Sequence, residues 1–288
     1  MTDMIINEKR AEPLTNAERD ELISSPPLVF SEEAGPRVVV LTQGGPNPEI
    51  LVNTLKRHFS NLVVIEEQPE SKQQMLRQKA RRFGWGTALG QAATMAVSKF
   101  GKPLARRRAN EIVRQFHVDT RPDPTIRRIV VDSANGAEFR RLIGELKPAV
   151  LFLVSCRMLK PATLEAVGCP VLNFHAGINP QYRGQQGGYW ARVMRDERNF
   201  GATVHLVDAG VDTGGVIYQV RVTPSRKDTM HTYPLLLTAA GTNIAVRAVG
   251  AALSGKLSPQ KMTKKPSRQW YHPTVWKWLW IGVSRGIW

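Results

Sequence analysis

Cysteine is scarce in this 288-residue sequence, and long apolar runs are missing. The two cysteines, Cys156 and Cys169, are too few for a disulfide framework, and their spacing matches no zinc-binding pattern. We therefore expect both to pack in or near the core of a protein in a reducing compartment. The first residues lack an apolar run of signal-peptide length, and no later stretch approaches the about 20 apolar residues of a spanning helix. These absences predict a cytoplasmic protein without a transmembrane segment.

Acidic residues are also few, and the imbalance says more about partners than about the fold. The chain has 24 acidic and 40 basic residues, a formal net charge of +16. Such a field attracts anions, among them phosphorylated or nucleotide-linked small molecules, tRNA and anionic membrane surfaces. The charge does not choose among them, and a basic surface that only keeps the protein soluble is the alternative. The 42% hydrophobic content is enough for a packed core.

What is present is an alternation of apolar runs with helical patterns. Continuous apolar runs such as 149–154 are typical of strands buried on both faces of a parallel sheet, and helical patterns such as Ala137–Leu146 separate them. The sequence therefore predicts an α/β protein with a doubly wound, mostly parallel, Rossmann-like sheet. We expect an N-terminal arm at 1–36, a main domain at 37–258 and a tail at 259–288.

Polar residues that could carry chemistry concentrate in 171–219. Asn173 and His175 end a short apolar strand and, being two apart, project from the same face. A second apolar strand leads to a loop with two carboxylates, Asp208 and Asp212. His205 alternates with apolar neighbours in that strand, and we expect it to be a partly exposed strand residue. A carboxylate brought beside an imidazole orients it for proton transfer.

These motifs occur in the order found in a known family. The sequence N-F-H at 173–175, P-Q-Y-R-G at 180–184 and the run from Gly201 to Gly214 resemble the formyltransferases that use 10-formyltetrahydrofolate. The resemblance implies the formyltransferase fold and a catalytic set of Asn173, His175 and Asp212, with no metal required. Asp208 is the rival carboxylate, although we expect it to hold its loop.

The resemblance also implies ligand contacts. The candidate folate contacts are Arg157, Met158, Leu159, Asp208 and Val211. The candidate acceptor contacts are Gln43, Gly44, Gly45, Asn47, Tyr182 and Arg183. The first four of these acceptor contacts form a glycine turn at the start of a helix, where anions bind. Pro46 and Pro48 lack N–H groups, so a tight structural turn is an equal alternative.

Two segments fall outside the resemblance. An insertion at about 71–117, predicted as two helices, has eleven basic residues and one acid, Glu111. It could bind RNA, lie on an anionic membrane, cover the acceptor site or form a solvated flap. Nucleic acid is not favoured, because the aromatic residues do not alternate with the bases. The tail has five of the seven tryptophans among basic residues, which suits a membrane interface or a protein surface.

The resemblance thus predicts an N-formyltransferase whose small-molecule acceptor is an anionic primary amine. The stretch Gly187–Trp190 is closer to the amino-sugar enzymes and favours a sugar nucleotide. The alternatives are a methionyl-tRNA formyltransferase, a formyltetrahydrofolate hydrolase, and a non-catalytic protein associated with membrane or RNA. Methionyl-tRNA is the less favoured acceptor, because we expect no room for the C-terminal barrel of those enzymes. The predicted location is the cytoplasm, with peripheral contact at the inner membrane surface as one interpretation.

Overall fold

A computed structural model describes residues 35–261 and 266–288, so almost all of the predicted N-terminal arm lies outside the described residues. The main sheet consists of β1 (Val38–Thr42), β2 (Leu62–Glu67), β3 (Arg127–Val131), β4 (Val150–Val154), β5 (Val171–His175), β7 (Gly201–Leu206) and β8 (Val216–Arg221). Its order is β3-β2-β1-β4-β5-β7-β8. The first five strands in this order are parallel, and β7 and β8 are antiparallel to their neighbours. The predicted α/β class and mostly parallel sheet are confirmed.

The helices follow the strands in the alternation that the apolar pattern predicts. They are α1 (Pro46–His58), α2 (Lys72–Phe83), α3 (Trp85–Val97), α4 (Lys102–Gln115), α5 (Ala137–Leu146), α6 (Pro161–Ala166), α7 (Gly187–Val193), α8 (Tyr233–Ala240), α9 (Thr242–Leu253) and α10 (Val275–Arg285). Short 3-10 turns lie at Ser98–Gly101 and Glu197–Asn199. A small parallel pair, β6 (Arg183–Gly184) and β9 (Gln269–Trp270), joins the loop after β5 to the C-terminal segment.

Alternate residues of each central strand enter cores on opposite faces of the sheet. Val38 and Val40 pack with α1, α8 and α9, whereas Val39 and Leu41 pack with α5. Each such side chain stabilises the fold by about 1.5 to 3 kcal/mol when it is fully buried. Because both faces are covered, β4 is apolar at every position, as the continuous run predicts.

The insertion contains three helices, not the two predicted from the sequence. Gly84 has φ 83°, a conformation open to glycine, and it ends α2 and begins α3. Arg108 of α4 fixes the insertion to the body of the protein, because its guanidinium contacts both carboxylate oxygens of buried Asp228, at 2.8 and 3.3 Å. One basic residue of this segment is therefore structural, whereas Arg107 has a side chain that is 91% exposed.

The C-terminal part of the chain returns to the sheet and then to the insertion. Gly241 separates α8 from α9 where a β-carbon would lie 2.4 Å from the Phe174 ring. Within the described residues, no single helix has the length and apolar content to cross a membrane. The α8–α9 pair passes that test only jointly, with a 48° bend, and most of its side chains are buried in the protein. The tail forms β9 and α10, and α10 packs against α3.

Candidate active site

Strand register creates the framework of the site. Asn173 and His175 project from the same face of β5, and the antiparallel pairing with β7 places Asn173 directly opposite His205. Over β1 and β4 this face is covered by α5. At β5 the loops 176–186 and 208–215 cover this face instead of a helix. Their backbone encloses the polar side chains.

Asp212 lies at the centre of these polar groups. Its Oδ1 atom accepts from Asn173 Nδ2 at 3.2 Å, and its Oδ2 atom accepts from the Gly184 backbone N–H at 2.8 Å. The same Oδ2 lies 3.5 Å from His175 Nδ1, an ion-pair distance at which a proton can be shared. Asp212 adopts a left-handed backbone with φ 50°, which is unfavourable for a residue with a side chain and typical of functional sites. The structure thus brings together Asn173, His175 and Asp212.

Burial by itself would raise the pKa of the Asp212 carboxyl. The charge of His175, the hydrogen bond and charge of His205 and the backbone N–H of Gly184 outweigh it, so the pKa lies well below its usual range. Asp212 is therefore an ionised carboxylate at any pH at which the protein would work.

His205 belongs to the site, and its prediction as a partly exposed strand residue is wrong. It is 2% exposed, and its Nε2 atom lies 3.0 Å from Asn173 Nδ2 and 3.3 Å from Asp212 Oδ1. Its Nδ1 atom is 2.6 Å from the Leu206 carbonyl, which only accepts, so Nδ1 carries a proton, and Nε2 lies between the Asn173 amide and the Asp212 carboxylate. Alternation with apolar residues showed that His205 faces the opposite side from Val204. It could not show that this side holds a buried polar cluster.

His175 is held from both ends of its ring. Its Nε2 atom donates to the Tyr182 carbonyl at 2.7 Å while Nδ1 faces Asp212. A β-carbon at Gly177 would lie 2.4 Å from His175 Nε2, so only glycine lets the loop approach this closely. For Nε2 to donate a hydrogen bond to a substrate, it must therefore exchange the Tyr182 carbonyl for a substrate atom.

A cavity of about 350 Å³ opens beside Asp212. Arg183 and Asp208, both predicted site residues, line it together with Lys261. Asn179 also lines this cavity, and its side chain is buried, with 2% exposed. Its Nδ2 atom donates to the backbone carbonyl of Asp212. Its Oδ1 atom has no hydrogen-bond partner among the described residues. An acceptor atom left without a donor at a cavity wall suits a ligand N–H group. Sequence analysis missed Asn179, although it immediately precedes the motif at 180–184.

The candidate folate loop lies at the carboxyl end of β4, beside the end of β1. The Arg157 side chain donates to Ser133 Oγ and to the Gln68 carbonyl, and its backbone N–H donates to buried Glu67. Leu159 is 2% exposed, whereas Met158 is 59% exposed and supplies the apolar surface of this loop. Arg157 therefore fixes the loop. Of Arg157, Met158 and Leu159, it is Met158 whose side chain is open to a ligand.

The predicted acceptor contacts divide between two places. Gln43 donates to the same Glu67 carboxylate and bonds the loop after β4 through the Ser155 carbonyl. Gly44 and Gly45 have φ 73° and 103°, as a tight turn requires, and Asn47 lies in the first turn of α1. This group adjoins the candidate folate loop and contacts Glu67 and Ser155, not Asp212.

Tyr182, Arg183, Asp208 and Val211 lie around the Asp212 loop. The Tyr182 side chain is buried, donates to Asp196 and stacks on Trp270, so this residue serves the site through its carbonyl. Arg183 donates to the Val211 carbonyl at 2.8 Å. Asp208 accepts from Gly210 N–H and Thr213 Oγ1, which agrees with its expected role in holding the loop.

Known proteins resemble this chain in sequence and in fold. The model of the formyl transferase family matches residues 36–249. A methionyl-tRNA formyltransferase from Thermodesulfovibrio yellowstonii is 27% identical over 92 residues, which span 32% of this chain and 30% of that protein. The chain thus matches about a third of such a relative's length.

Solved structures share the fold. Glycinamide ribonucleotide transformylase 1 from Symbiobacterium toebii superposes with a TM-score of 0.51 at 19% identity, over 85% of this chain and 98% of that one. An N-formyltransferase from Helicobacter canadensis, solved with folinic acid and dTDP-3-aminofucose, gives a TM-score of 0.50 at 17% identity, over 81% of this chain and 70% of that one.

Proposed function

Because this chain belongs to the formyl transferase family, we propose that it moves a formyl group from 10-formyltetrahydrofolate to a primary amine on an anionic small molecule. The observation that carries this proposal is the convergence of Asn173, His175 and Asp212, completed by His205, on one loop-covered face of the sheet. A protein that only kept the fold would have no need to bury an ionised carboxylate beside two imidazoles.

The donor fits the carboxyl end of β4. Met158, exposed on the loop after this strand, offers apolar contact to a flat ring, and loop backbone offers polar atoms to the edges of the ring. When bound, the folate supplies a formyl carbon that an amine can attack. The loop itself is prepared for this task, because Glu67 and Arg157 hold it in one conformation.

The residues of the site then have separate tasks. Asn173 can turn one amide N–H from Asp212 toward an oxygen on which negative charge develops, and removing one such donor costs roughly 3 kcal/mol of barrier lowering. The Asp212–His175 pair can take up the proton that the attacking amine loses, and that proton passes to N10 of the folate as the bond between N10 and the formyl carbon breaks. His205 keeps the Asn173 amide in place from the opposite strand.

The acceptor side is assigned to the cavity beside Asp212. The unpartnered Asn179 Oδ1 is placed to accept from an amine N–H, while Arg183 and Lys261 suit a phosphate or carboxylate on the same molecule. An amino-sugar nucleotide combines these groups, and the Helicobacter canadensis enzyme was solved with one. The net charge of +16 favours the approach of such an anion.

Methionyl-tRNA is the second candidate acceptor. It is favoured by the curated relatives, which are methionyl-tRNA formyltransferases 27% and 35% identical over about 90 residues. The same positive charge would attract tRNA. The two acceptors differ in size, and a cavity of about 350 Å³ has room for the amine-bearing part of a small molecule or for only the aminoacyl end of a tRNA.

The proposal is tested by calorimetric titration with a stable 10-formyltetrahydrofolate analogue, followed by turnover with a panel of acceptors. The panel contains amino-sugar nucleotides, glycinamide ribonucleotide and charged initiator tRNA. We expect analogue binding, and formylation of an amino-sugar nucleotide in preference to the other two. No binding of the analogue would overturn the proposed donor, whereas binding with formylation of tRNA alone would replace the proposed acceptor.

A further inference from the structure

Helix α3 has an apolar stripe that none of the residues described by the structure covers. No charged residue occurs between Trp85 and Val97. One side of this helix, together with a residue in the 3-10 turn that follows it, is exposed. The residues on that side, at helical spacing, are Trp85, Leu89, Ala92, Ala96 and Phe100. The large members are 59% (Trp85), 54% (Leu89) and 83% (Phe100) exposed. A helix with an apolar stripe turned to solvent, while its opposite side packs on the protein, is typical of an interaction surface.

The last helix, α10, repeats this arrangement. Trp278 and Ile281 are buried in the core, whereas Trp276, Leu279, Trp280 and Val283 are 42 to 81% exposed. The Trp276 ring lies against Gly90 of α3, where a β-carbon would be 2.3 Å from the ring. The exposed stripe of α10 therefore begins where the two helices meet. We define the apolar surface as these two stripes.

Basic residues accompany the apolar surface, and the Arg285 guanidinium lies 5.8 Å from the centre of the exposed Trp280 ring. The insertion that contains α3 has eleven basic residues and one acid, and no acid occurs in 266–288. Arg285 also lines a cavity of about 750 Å³ with three other arginines and two acids, Arg192, Arg195, Arg198, Asp196 and Glu197. Exposed tryptophan and aliphatic side chains beside lysine and arginine are the combination that binds to anionic membrane interfaces.

We propose that the apolar surface docks on an anionic lipid bilayer, with α3 and α10 lying in the plane of the headgroups. A second copy of the chain is disfavoured, because the basic residues that accompany the apolar surface would repel each other in a symmetric contact. Nucleic acid is disfavoured because the stripes include Leu89, Ala92 and Val283, which offer a base neither stacking nor hydrogen bonds. An anionic bilayer offers apolar contact to the stripes and negatively charged headgroups to the basic side chains.

Docking of this kind is measured by flotation of the full chain with vesicles. Phosphatidylcholine vesicles are compared with vesicles containing about a third phosphatidylglycerol. The test variant Leu89→Gln/Trp280→Gln/Val283→Gln removes apolar contacts without changing charge. The matched control is Val130→Gln, which alters a valine that is 54% exposed on β3, away from both helices.

We expect partition onto the anionic vesicles only, with the triple variant weaker by about tenfold or more and the control unchanged. In the wild type, binding should shift tryptophan emission to shorter wavelength, as Trp276 and Trp280 leave water. Equal binding by the triple variant would overturn the role of the apolar surface. No binding to either vesicle would overturn the proposal, and a dimer lost in the triple variant would assign the surface to a second copy.

Discussion

Asp212 is the residue on which the site depends, because Asn173, His175 and His205 all contact its carboxylate. Asp212→Asn preserves the shape of the side chain but removes its negative charge. It also places an amide NH₂ group next to the hydrogen-bond donors that contact the carboxylate. We expect turnover to fall by about 10² to 10³ while donor affinity changes by less than about twofold. Steady-state kinetics and calorimetric titration separate these two quantities.

The matched control is Asp208→Asn in the same loop. Asp208 accepts hydrogen bonds from loop atoms and lines the acceptor cavity without contacting Asp212, so we expect kcat within about threefold of wild type, any further change in KM for the acceptor, and a free energy of unfolding lower by about 1 kcal/mol. Equal losses of turnover in the two variants would show that the loop's conformation, not the Asp212 charge, is what matters.

His205 gives a second prediction at this scale. His205→Gln removes the ring whose Nδ1 donates to Leu206 and whose Nε2 contacts both the Asn173 amide and the Asp212 carboxylate. With Asn173 less constrained, we expect kcat to fall by about tenfold with little change in KM for either substrate. Circular dichroism checks that the fold is kept. A rise in KM with unchanged kcat would mean that His205 contributes to binding instead of positioning.

At the scale of elements, the β7–β8 loop brings Asp212 to the strands, and Gly214 sets its path. A β-carbon at Gly214 would lie 1.8 Å from the Leu206 carbonyl oxygen, which is backbone and has little freedom to move. We expect Gly214→Ala to destabilise the protein by about 1 to 3 kcal/mol and to lower turnover beyond that loss. Urea unfolding and steady-state rates measure the two effects.

Gly250→Ala is the matched control, because Gly250 lies inside α9 and a β-carbon there has no neighbour within 4 Å. Alanine in that position should stabilise the protein by about 0.5 to 1 kcal/mol without affecting turnover. If both variants behaved alike, close approach at Gly214 would not explain the loop.

The C-terminal segment carries a pH-dependent contribution to stability. Burial, with a smaller effect of Lys79, lowers the pKa of His272 to about 4 from 6.5. Below pH 6.5 His272 is protonated in the unfolded chain but stays neutral in the folded chain until the pH approaches 4. The free energy of unfolding therefore falls as the pH drops from 6.5 toward 4, and His272 does not affect it above 6.5. His272→Gln should reduce the stability lost between pH 7 and 4.5 by no more than about 2.5 kcal/mol. Urea unfolding at both pH values checks this, and an identical loss in both proteins would contradict it.

The pattern of apolar residues along the sequence predicted the sheet, because a strand covered on both faces needs apolar residues at every position, as in β4. The same pattern could not count the insertion's helices, because Gly84 separates two helices whereas Gly86 and Gly90 lie inside one, and the sequence does not distinguish these glycines. It also missed that the tail forms α10. The position of Asn179 depends on loop backbone and on contacts distant in sequence, which periodicity does not record.

The predicted site shows the same limit. Ordered motifs identified Asn173, His175 and Asp212, which the structure brings together. The assignment of Tyr182 to the acceptor was made from its place in a motif, whereas its ring is in the core. The division of the chain into three parts and the individual ligand contacts stay predictions.

For the whole molecule, the candidate site and the apolar surface are linked through the C-terminal segment. β9 pairs with β6, whose Gly184 N–H binds Asp212, and the chain continues from β9 into α10. Docking through α10 would therefore hold the site at a fixed position relative to the bilayer.

The central claim is that this site transfers a formyl group to an amine. It is tested most directly by ¹³C NMR with 10-formyltetrahydrofolate labelled at the formyl carbon, with wild-type protein and Asp212→Asn, and with or without the amine acceptor. The account predicts a labelled formamide that requires the acceptor and nearly disappears in the variant. Labelled formate formed equally without the acceptor would identify a hydrolase instead. An unchanged donor signal under all conditions would contradict the account altogether.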